Sequence, residues 1–497
     1  HHHTTISGLS NTRGPIGGGT TLQVSGTGFV DRVKTKCRFG KTHVQAVFKS
    51  ATQIECVTPP VAVEGVYGVS VSVNALDFTN EQLTFTYHRA PIITGVYPAT
   101  GWSTMNTYVY VTGRDISNVT TCRFGPNWDV TSTMVNSTFI KCLRPPLGPR
   151  ESLVQLSTNR QDTSRDWVPY HIFRDMQVFW IEPKLGEARG GTKVIVGGEN
   201  FPLASNVPLY CSFGDIVVTA KVLTTWRAEC TAPTQNVGVV PVEVTHNLQD
   251  FTSNGVQFTY LPNVTLVGMS NIRGPNTGGT QVVFTGVNFS NTTHLQARFN
   301  KTAVNCTFLS QDNIKCNTPA HPSGFVTVQV SVDGQLWSHN SLSFRYVNYP
   351  LVTSVFPING PDVGENIVTV RGGNFTHNST CLFGSVWVYG NDLTFQNTSM
   401  IYCKAPAQSP RSVAVEVSSN FQNFTNSNIM YTYYTQERIR QVVPVDVVQG
   451  GMTIVLLNGT GFGNYPTLRC KFGETITPAY YQNATIVRCK TPRFASR

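Results

Sequence analysis

The residues whose chemistry is most regularly placed are twelve cysteines. They fall in pairs along the chain: Cys37 with Cys56, Cys122 with Cys142, Cys211 with Cys230, Cys306 with Cys316, Cys381 with Cys403 and Cys470 with Cys489. An even number at a recurring separation of about 20 residues reads as a disulfide framework. Two thiols without histidine companions cannot complete a tetrahedral zinc cage. Closing each loop stabilises its unit by roughly 3 kcal/mol in the chain-entropy model, less any strain. Oxidised pairs imply an oxidising compartment. The fourth pair departs from the pattern. Ala297 stands where the first cysteine is expected, and Cys306 lies only ten residues before Cys316. A bridge there is left open, subject to the two α-carbons coming within about 7 Å.

A second chemistry is glycosylation at Asn-x-Ser/Thr. Thirteen such sequons occur, at Asn118, Asn136, Asn263, Asn288, Asn291, Asn300, Asn305, Asn374, Asn378, Asn397, Asn423, Asn458 and Asn483. Composition alone would give roughly half as many in a chain this rich in Asn, Ser and Thr. Together with the cysteines they indicate a secreted or cell-surface eukaryotic protein carrying covalent N-glycans, many of them in turns where a sugar can point into water. The first 89 residues have none, whereas Asn288, Asn291, Asn300 and Asn305 are crowded together.

Catalytic patterns are not found. There is no H-E-x-x-H and no G-x-S-x-G, and Gly40-Lys41-Thr42 has Thr35 where a phosphate loop needs its first glycine. His43, His88, His171, His246, His294 and His321 are dispersed without a recurring carboxylate or nucleophile and read as surface or turn residues. Asp250 and Asp362 stand largely alone, so calcium between units is not supported. The expectation is no enzyme, no metal and no cofactor. The three histidines His1, His2 and His3 read as a remnant or a chance run.

Composition agrees. Of 497 residues 40% are hydrophobic and only 13% charged, which excludes a disordered or coiled-coil chain. The net charge of +10 is spread singly, with Arg438-Ile439-Arg440 about as dense as it becomes. Phosphate affinity needs clustered cations, so nucleic acid is not an expected partner. No stretch approaches the roughly 20 apolar residues of a membrane span.

The elements that would position these residues are read from a repeat. Cys37-Arg38-Phe39-Gly40 returns as Cys122-Arg123-Phe124-Gly125, Cys211-Ser212-Phe213-Gly214, Cys381-Leu382-Phe383-Gly384 and Cys470-Lys471-Phe472-Gly473, with Ala297-Arg298-Phe299-Asn300 as a degenerate copy. The phenylalanines are 85, 89, 86, 84 and 89 residues apart, defining six units. Gly-rich openings such as Gly18-Gly19-Thr20, second turns such as Gly26-Thr27-Gly28-Phe29, and alternation at Val69, Val71 and Val73 read as strands of a sandwich with one buried face. The predicted boundaries are 1–89, 90–175, 176–262, 263–348, 349–435 and 436–497. Junctions such as Tyr87 to Pro91 are too short for tethers, so a rod on the order of 180 to 200 Å is expected.

A longer period overlies this one. Ser10-Asn11-Thr12-Arg13-Gly14-Pro15 recurs as Ser270-Asn271-Ile272-Arg273-Gly274-Pro275, 260 residues on. Units two and five lack the Gly-Gly-Thr opening and share Pro149-Arg150 against Pro410-Arg411. A three-domain super-repeat present twice is inferred. The sixth unit has no counterpart of Val69 to Val73 or of Phe85-Thr86-Tyr87. A sequence cut short is the favoured explanation; strands supplied by a neighbouring chain is the other.

The ordered set of a Gly-Gly-Thr opening, Gly-x-x-Phe, Cys-x-Phe-Gly, Ile-x-Cys-x-Thr/Ala-Pro and a closing Phe-x-Tyr resembles the IPT/TIG domain, the immunoglobulin-like module of plexins, fibrocystin-like proteins and certain transcription factors. The second cysteine context is explicit at Ile54-Glu55-Cys56-Val57-Thr58-Pro59 and Ile314-Lys315-Cys316-Asn317-Thr318-Pro319. The resemblance implies an all-β protein of six tandem immunoglobulin-like sandwiches, the last one incomplete, of the extracellular branch. The expected function is a non-enzymatic structural or adhesive glycoprotein. Its super-repeat favours a fibril protomer that self-associates head to tail or laterally. The alternative is a receptor ectodomain that recognises a protein or glycan through one domain, with Trp167, Trp180 or Trp337 as anchors.

Overall fold

The computed structural model describes residues 4–493 apart from 81–82, 118–119, 204–205 and 449. His1, His2, His3 and Asn118 lie outside the described residues. Among the described residues there is no α-helix, and one short 3-10 turn, Gly390–Asp392, is the sole helical element. The chain divides into two compact units, His1–Tyr260 and Leu261–Arg497, each holding three sandwiches.

The first domain shows the plan. It runs β1 (Thr5–Leu9), β2 (Arg13–Pro15), β3 (Thr21–Thr27), β4 (Lys36–Phe39), β5 (Thr42–Ser50), β6 (Gln53–Val57), β7 (Gly65–Ser72) and β8 (Leu83–His88). One layer is β1-β3-β6 and the other is β4-β7-β8 with β2 added parallel to β8. β5 belongs to both, pairing β4 through Thr42 to Gln45 and β6 from Ala46 onward. The alternation in the sequence becomes the core: Leu22, Val24, Phe39, Ile54, Val69, Val71, Phe85 and Tyr87 are all buried. Phe85 meets Tyr87 edge-on at 4.9 Å, one of the favourable aromatic arrangements. β2 approaches β8 so closely that a Cβ on Gly14 would lie 2.8 Å from the Phe85 ring and 2.3 Å from the Thr20 hydroxyl, so only glycine fits.

The same order of strands repeats in the next three domains. In the fifth, the short strand Val386–Val388 and the 3-10 turn replace a continuous crossing strand, so its two layers are separate sheets. Among the described residues the sixth has five strands, Arg438–Val443, Ile454–Thr460, Arg469–Phe472, Thr475–Asn483 and Ile486–Lys490. Its buried core is six residues, among them Val455, Leu457 and Val487. A cleft of about 830 Å³ lined by Phe462, Leu468 and Phe472 opens where β7 and β8 pack in the first domain.

All twelve cysteines are paired. Five bridges tie one layer to the other, as Cys37 on β4 does to Cys56 on β6, with α-carbons 6.4 Å apart. The fourth is different in kind. Ala297 fills the buried site of Cys37, and Cys306 faces Cys316 across neighbouring strands, Thr302–Ser310 and Asn313–Asn317, at 4.5 Å. That spacing is that of a non-hydrogen-bonded antiparallel pair, so this bridge clips one sheet rather than joining two.

Candidate functional site

Residues without an evident role in any single domain come together at the joints between domains within each three-domain unit. After the strand equivalent to β7, four domains carry Ser/Thr-x-Asn-x-x-Asp/Asn, at Asn74 and Asp77, Asn159 and Asp162, Asn247 and Asp250, and Asn420 and Asn423. The first Asn folds the loop by accepting backbone N–H groups two and three residues on, as Asn159 does from Gln161 and Asp162 at 3.0 and 2.8 Å. The following residue takes the left-handed conformation, with φ of 61° at Arg160 and Leu248 and 63° at Phe421.

Each of the last three loops clasps the domain before it. Asn159 Nδ2 donates to the Arg13 carbonyl at 3.1 Å, and Thr20 Oγ1 donates to Asp162 Oδ2 at 2.6 Å. In the next joint Asn247 Nδ2 donates to the Thr100 carbonyl at 3.1 Å, and Thr107 Oγ1 to Asp250 Oδ2 at 2.8 Å. In the second unit Asn420 Nδ2 reaches the Arg273 carbonyl at 3.4 Å, and Thr280 Oγ1 donates to Asn423 Oδ1 at 2.7 Å. Thr107 therefore occupies the place of Thr20 although the second domain has no Gly-Gly before it. In the fifth domain Asn366 stands there and holds the Tyr431 hydroxyl.

Two expectations are corrected here. Asp250 and Asp362 are not isolated: Asp250 is buried in its joint, and Asp362 Oδ1 accepts the Gln436 N–H at 3.1 Å. No group of side chains among the described residues is arranged to hold a metal. His246 is not a surface residue; it is 3% exposed, between Trp102 and Phe173, with Nδ1 against Thr100 Oγ1 at 2.8 Å. No pattern around His246 marks this, because its burial comes from the neighbouring domain.

The joint between domains two and three also has an apolar part. Trp102 of the second domain is buried in the same cluster as Met176, Val178 and Phe201 of the third. Beside it Arg144, fully buried, donates to the carbonyls of Trp102, Met105 and Pro145 and to Thr107 Oγ1. Thr107 in turn donates to Asp250, which sets a carboxylate one hydroxyl away from a buried guanidinium.

Burial lowers the His246 pKa from 6.5 to about 4, against the opposing charge of Asp250. Protonation thus favours the open joint: closure is fully favoured above pH 6.5 and weakens as pH falls toward 4. Arg144, Asp250 and Asp175, which accepts from Ser103 and Thr104, are charged groups at this joint, and neither the Thr158 nor the Ser419 position of the other joints titrates. At about 1.4 kcal/mol per pH unit, the loss reaches roughly 2 kcal/mol by pH 5. Hydrogen exchange of the 245–252 loop, corrected for intrinsic rates, is expected to rise about 20-fold from pH 7 to 5 in the native chain. In His246→Ser the rise should vanish; its persistence would assign the effect elsewhere.

Most described sequons are exposed, including Asn136, Asn263, Asn291, Asn300, Asn305, Asn374, Asn378, Asn397 and Asn483, whereas Asn288, Asn423 and Asn458 are half-buried. Asn423 is held in a joint, and the Thr425 hydroxyl of its sequon is buried against Glu416. Glycopeptide mass spectrometry of the folded chain is expected to find Asn423 bare even where exposed sequons carry sugar. A glycan on Asn423 would contradict the clasp.

Of the three tryptophans singled out, Trp337 is half-buried under the Arg298 guanidinium at 4.6 Å, which suits packing rather than anchoring. Trp167 is exposed on a loop. Trp180 is 38% exposed and lies on Gly197, where a Cβ would come within 2.1 Å of the indole. Arg227, on the next strand, places its guanidinium 5.7 Å from the Trp180 ring and 4.7 Å from that of Trp226, which is 53% exposed. Trp180, Arg227 and Trp226 form an aromatic and cationic patch on one domain, and residues 176–262 contain no sequon. Trp226 was missed in the sequence, where it is an isolated turn residue.

The fold and the repeated joint define a tandem array of immunoglobulin-like β-sandwiches. Models of the IPT/TIG domain match residues 4–87, 91–172, 180–260, 267–346, 350–433 and 438–497, and the chain belongs to this family. It is 27% identical over 339 residues to fibrocystin-L of Mus musculus, which spans 66% of this chain and 8% of that protein. It is 32% identical over 187 residues to plexin-A4 of Homo sapiens, covering 36% of this chain and 10% of that protein. The crystallised full extracellular region of plexin A4 aligns over 99% of this chain and 54% of its own length at 14% identity and a TM-score of 0.31. The chain thus spans about a tenth or less of these relatives' length. Six disulfides and relatives of this kind make it an extracellular or cell-surface IPT/TIG repeat region. Among the described residues, no helix is long and apolar enough to cross a membrane.

Proposed function

We propose that the chain is a non-enzymatic, N-glycosylated ectodomain segment that works mechanically, each three-domain unit acting as a stiff spacer in a structural or adhesive surface protein. The observation that supports this most is the clasp repeated at Thr20 and Asp162, Thr107 and Asp250, and Thr280 and Asn423. Charge-assisted bonds and a buried indole across a joint resist hinge motion where a bare linker would not. The three-domain period further favours self-association of successive units into a filament, since the same contact repeated without closure extends indefinitely. Negative-stain microscopy of native material tests this part. Filaments are the expected result, and isolated particles at micromolar concentration would refute self-assembly while leaving the spacer reading intact.

A second reading rests on the Trp180, Arg227 and Trp226 patch, whose exposed aromatics and missing sequons suit recognition of a protein or glycan on another cell surface. Multimerised chain is expected to bind cells, and Trp180→Ala with Trp226→Ala to lower that binding at least tenfold. Undiminished binding would exclude the patch.

A further inference from the structure

Among the described residues, nothing is seated on the clasp loop of the first domain. Ser72 Oγ donates to Asn74 Oδ1 at 2.9 Å, and Asn74 Oδ1 accepts the N–H groups of Leu76 and Asp77, each at 2.9 Å. Asn74 Nδ2 donates to Asp77 Oδ2 at 2.8 Å, against 2.7, 2.7 and 2.8 Å for the same contact in the three seated loops. Ala75 has a φ of 62°, matching Arg160, Leu248 and Phe421. Left-handed backbone costs a non-glycine residue roughly 1 kcal/mol or more, and such conformations persist where a function holds them. Three of these four loops grip a neighbour. In the fourth Asp77 and Leu76 point into solvent, and Asp77 bonds only to Asn74 among the described residues.

We infer that residues 72–77 form a socket for the opening corner of an IPT/TIG domain placed directly N-terminal to the first, a corner consisting of a backbone carbonyl before the buried glycine and a threonine hydroxyl. The seated loops define this chemistry: Asn74 Nδ2 would donate to the carbonyl, as Asn420 does to Arg273, and Asp77 would accept from the hydroxyl, as Asn423 does from Thr280. A second copy of this chain is disfavoured as occupant at three of its corners. Its Thr20, Thr107 and Thr280 corners are already clasped in cis. A contact of a few hydrogen bonds also holds only at the high effective concentration of a short covalent junction. The inference uses the joint geometry and does not depend on the proposed function.

The test extends the full chain with a second copy of residues 263–350 fused ahead of Thr5. This reproduces the junction at Leu351, whose strand pairs in the register of β1: Val352 opposes Gly372 as Ile6 opposes Gly26. Hydrogen exchange of the 72–77 peptide is expected to slow at least tenfold on fusion. Asp77→Ala, and Thr280→Val in the added copy, should each remove most of that protection, and the double variant should do no more than either single one. Unchanged exchange on fusion, or additive effects of the two substitutions, would overturn the inference. So would protection of the loop in the 497-residue chain that grows with protein concentration, which would assign the socket to a second copy.

Discussion

Replacing Arg144 with methionine lowers the unfolding free energy of the second domain by about 3 kcal/mol, the cost of leaving buried polar groups without their partner. The guanidinium is fully buried and is the donor to the carbonyls of Trp102, Met105 and Pro145. Methionine fills similar space and satisfies none of them. The same geometry makes Asp250→Asn more damaging than Asp162→Asn. Both residues accept a threonine hydroxyl, but only behind Asp250 does that hydroxyl touch a buried cation. Roughly 2 kcal/mol for the former and under about 1 kcal/mol for the latter are expected. Chemical denaturation followed by domain-resolved hydrogen exchange separates the two. Equal costs would mean that Asp250 does not serve as the counter-charge.

Trp102→Ala costs about 3 to 5 kcal/mol by the ordinary scale for a buried aromatic. Its particular consequence is where the loss falls. The indole belongs to the chain of the second domain and to the core of the third, packed with Met176, Val178 and Phe201. The variant is therefore expected to destabilise both domains and to split a shared thermal transition into two. A loss confined to the second domain would show that the joint is a surface contact and not a shared core.

Much of the fold is legible in the chain because its signals are local. Alternation at Val69 and Val71, glycine turns and Cys-x-Phe-Gly each report a strand or a turn within ten residues, and their recurrence reports six domains. The joints are illegible for the opposite reason. Thr20 and Asp162 are 142 residues apart, and neither has an unusual neighbour. His246 and Trp102 owe their burial to a surface belonging to the adjoining domain, so no pattern on their own strands marks them. One signal was present and local: the Ser/Thr-x-Asn-x-x-Asp/Asn loop stands at the same phase of the period in four domains. The changed bridge of the fourth domain was half visible. Ala297 announces that the layer-to-layer link is gone, but the cross-strand register of Cys306 with Cys316 depends on the bulge in the hairpin that joins them.

Side-chain clasps, and not linker length alone, are expected to fix neighbouring domains inside a three-domain unit. Pulsed dipolar spectroscopy on the full chain tests it directly, with spin labels introduced by Val66→Cys and Val239→Cys on exposed positions of the first and third domains. One narrow distance distribution is predicted, broadening markedly when Asp162→Ala and Asp250→Ala are combined. A distribution already broad in the parent chain, or one that the two substitutions leave narrow, would contradict the claim.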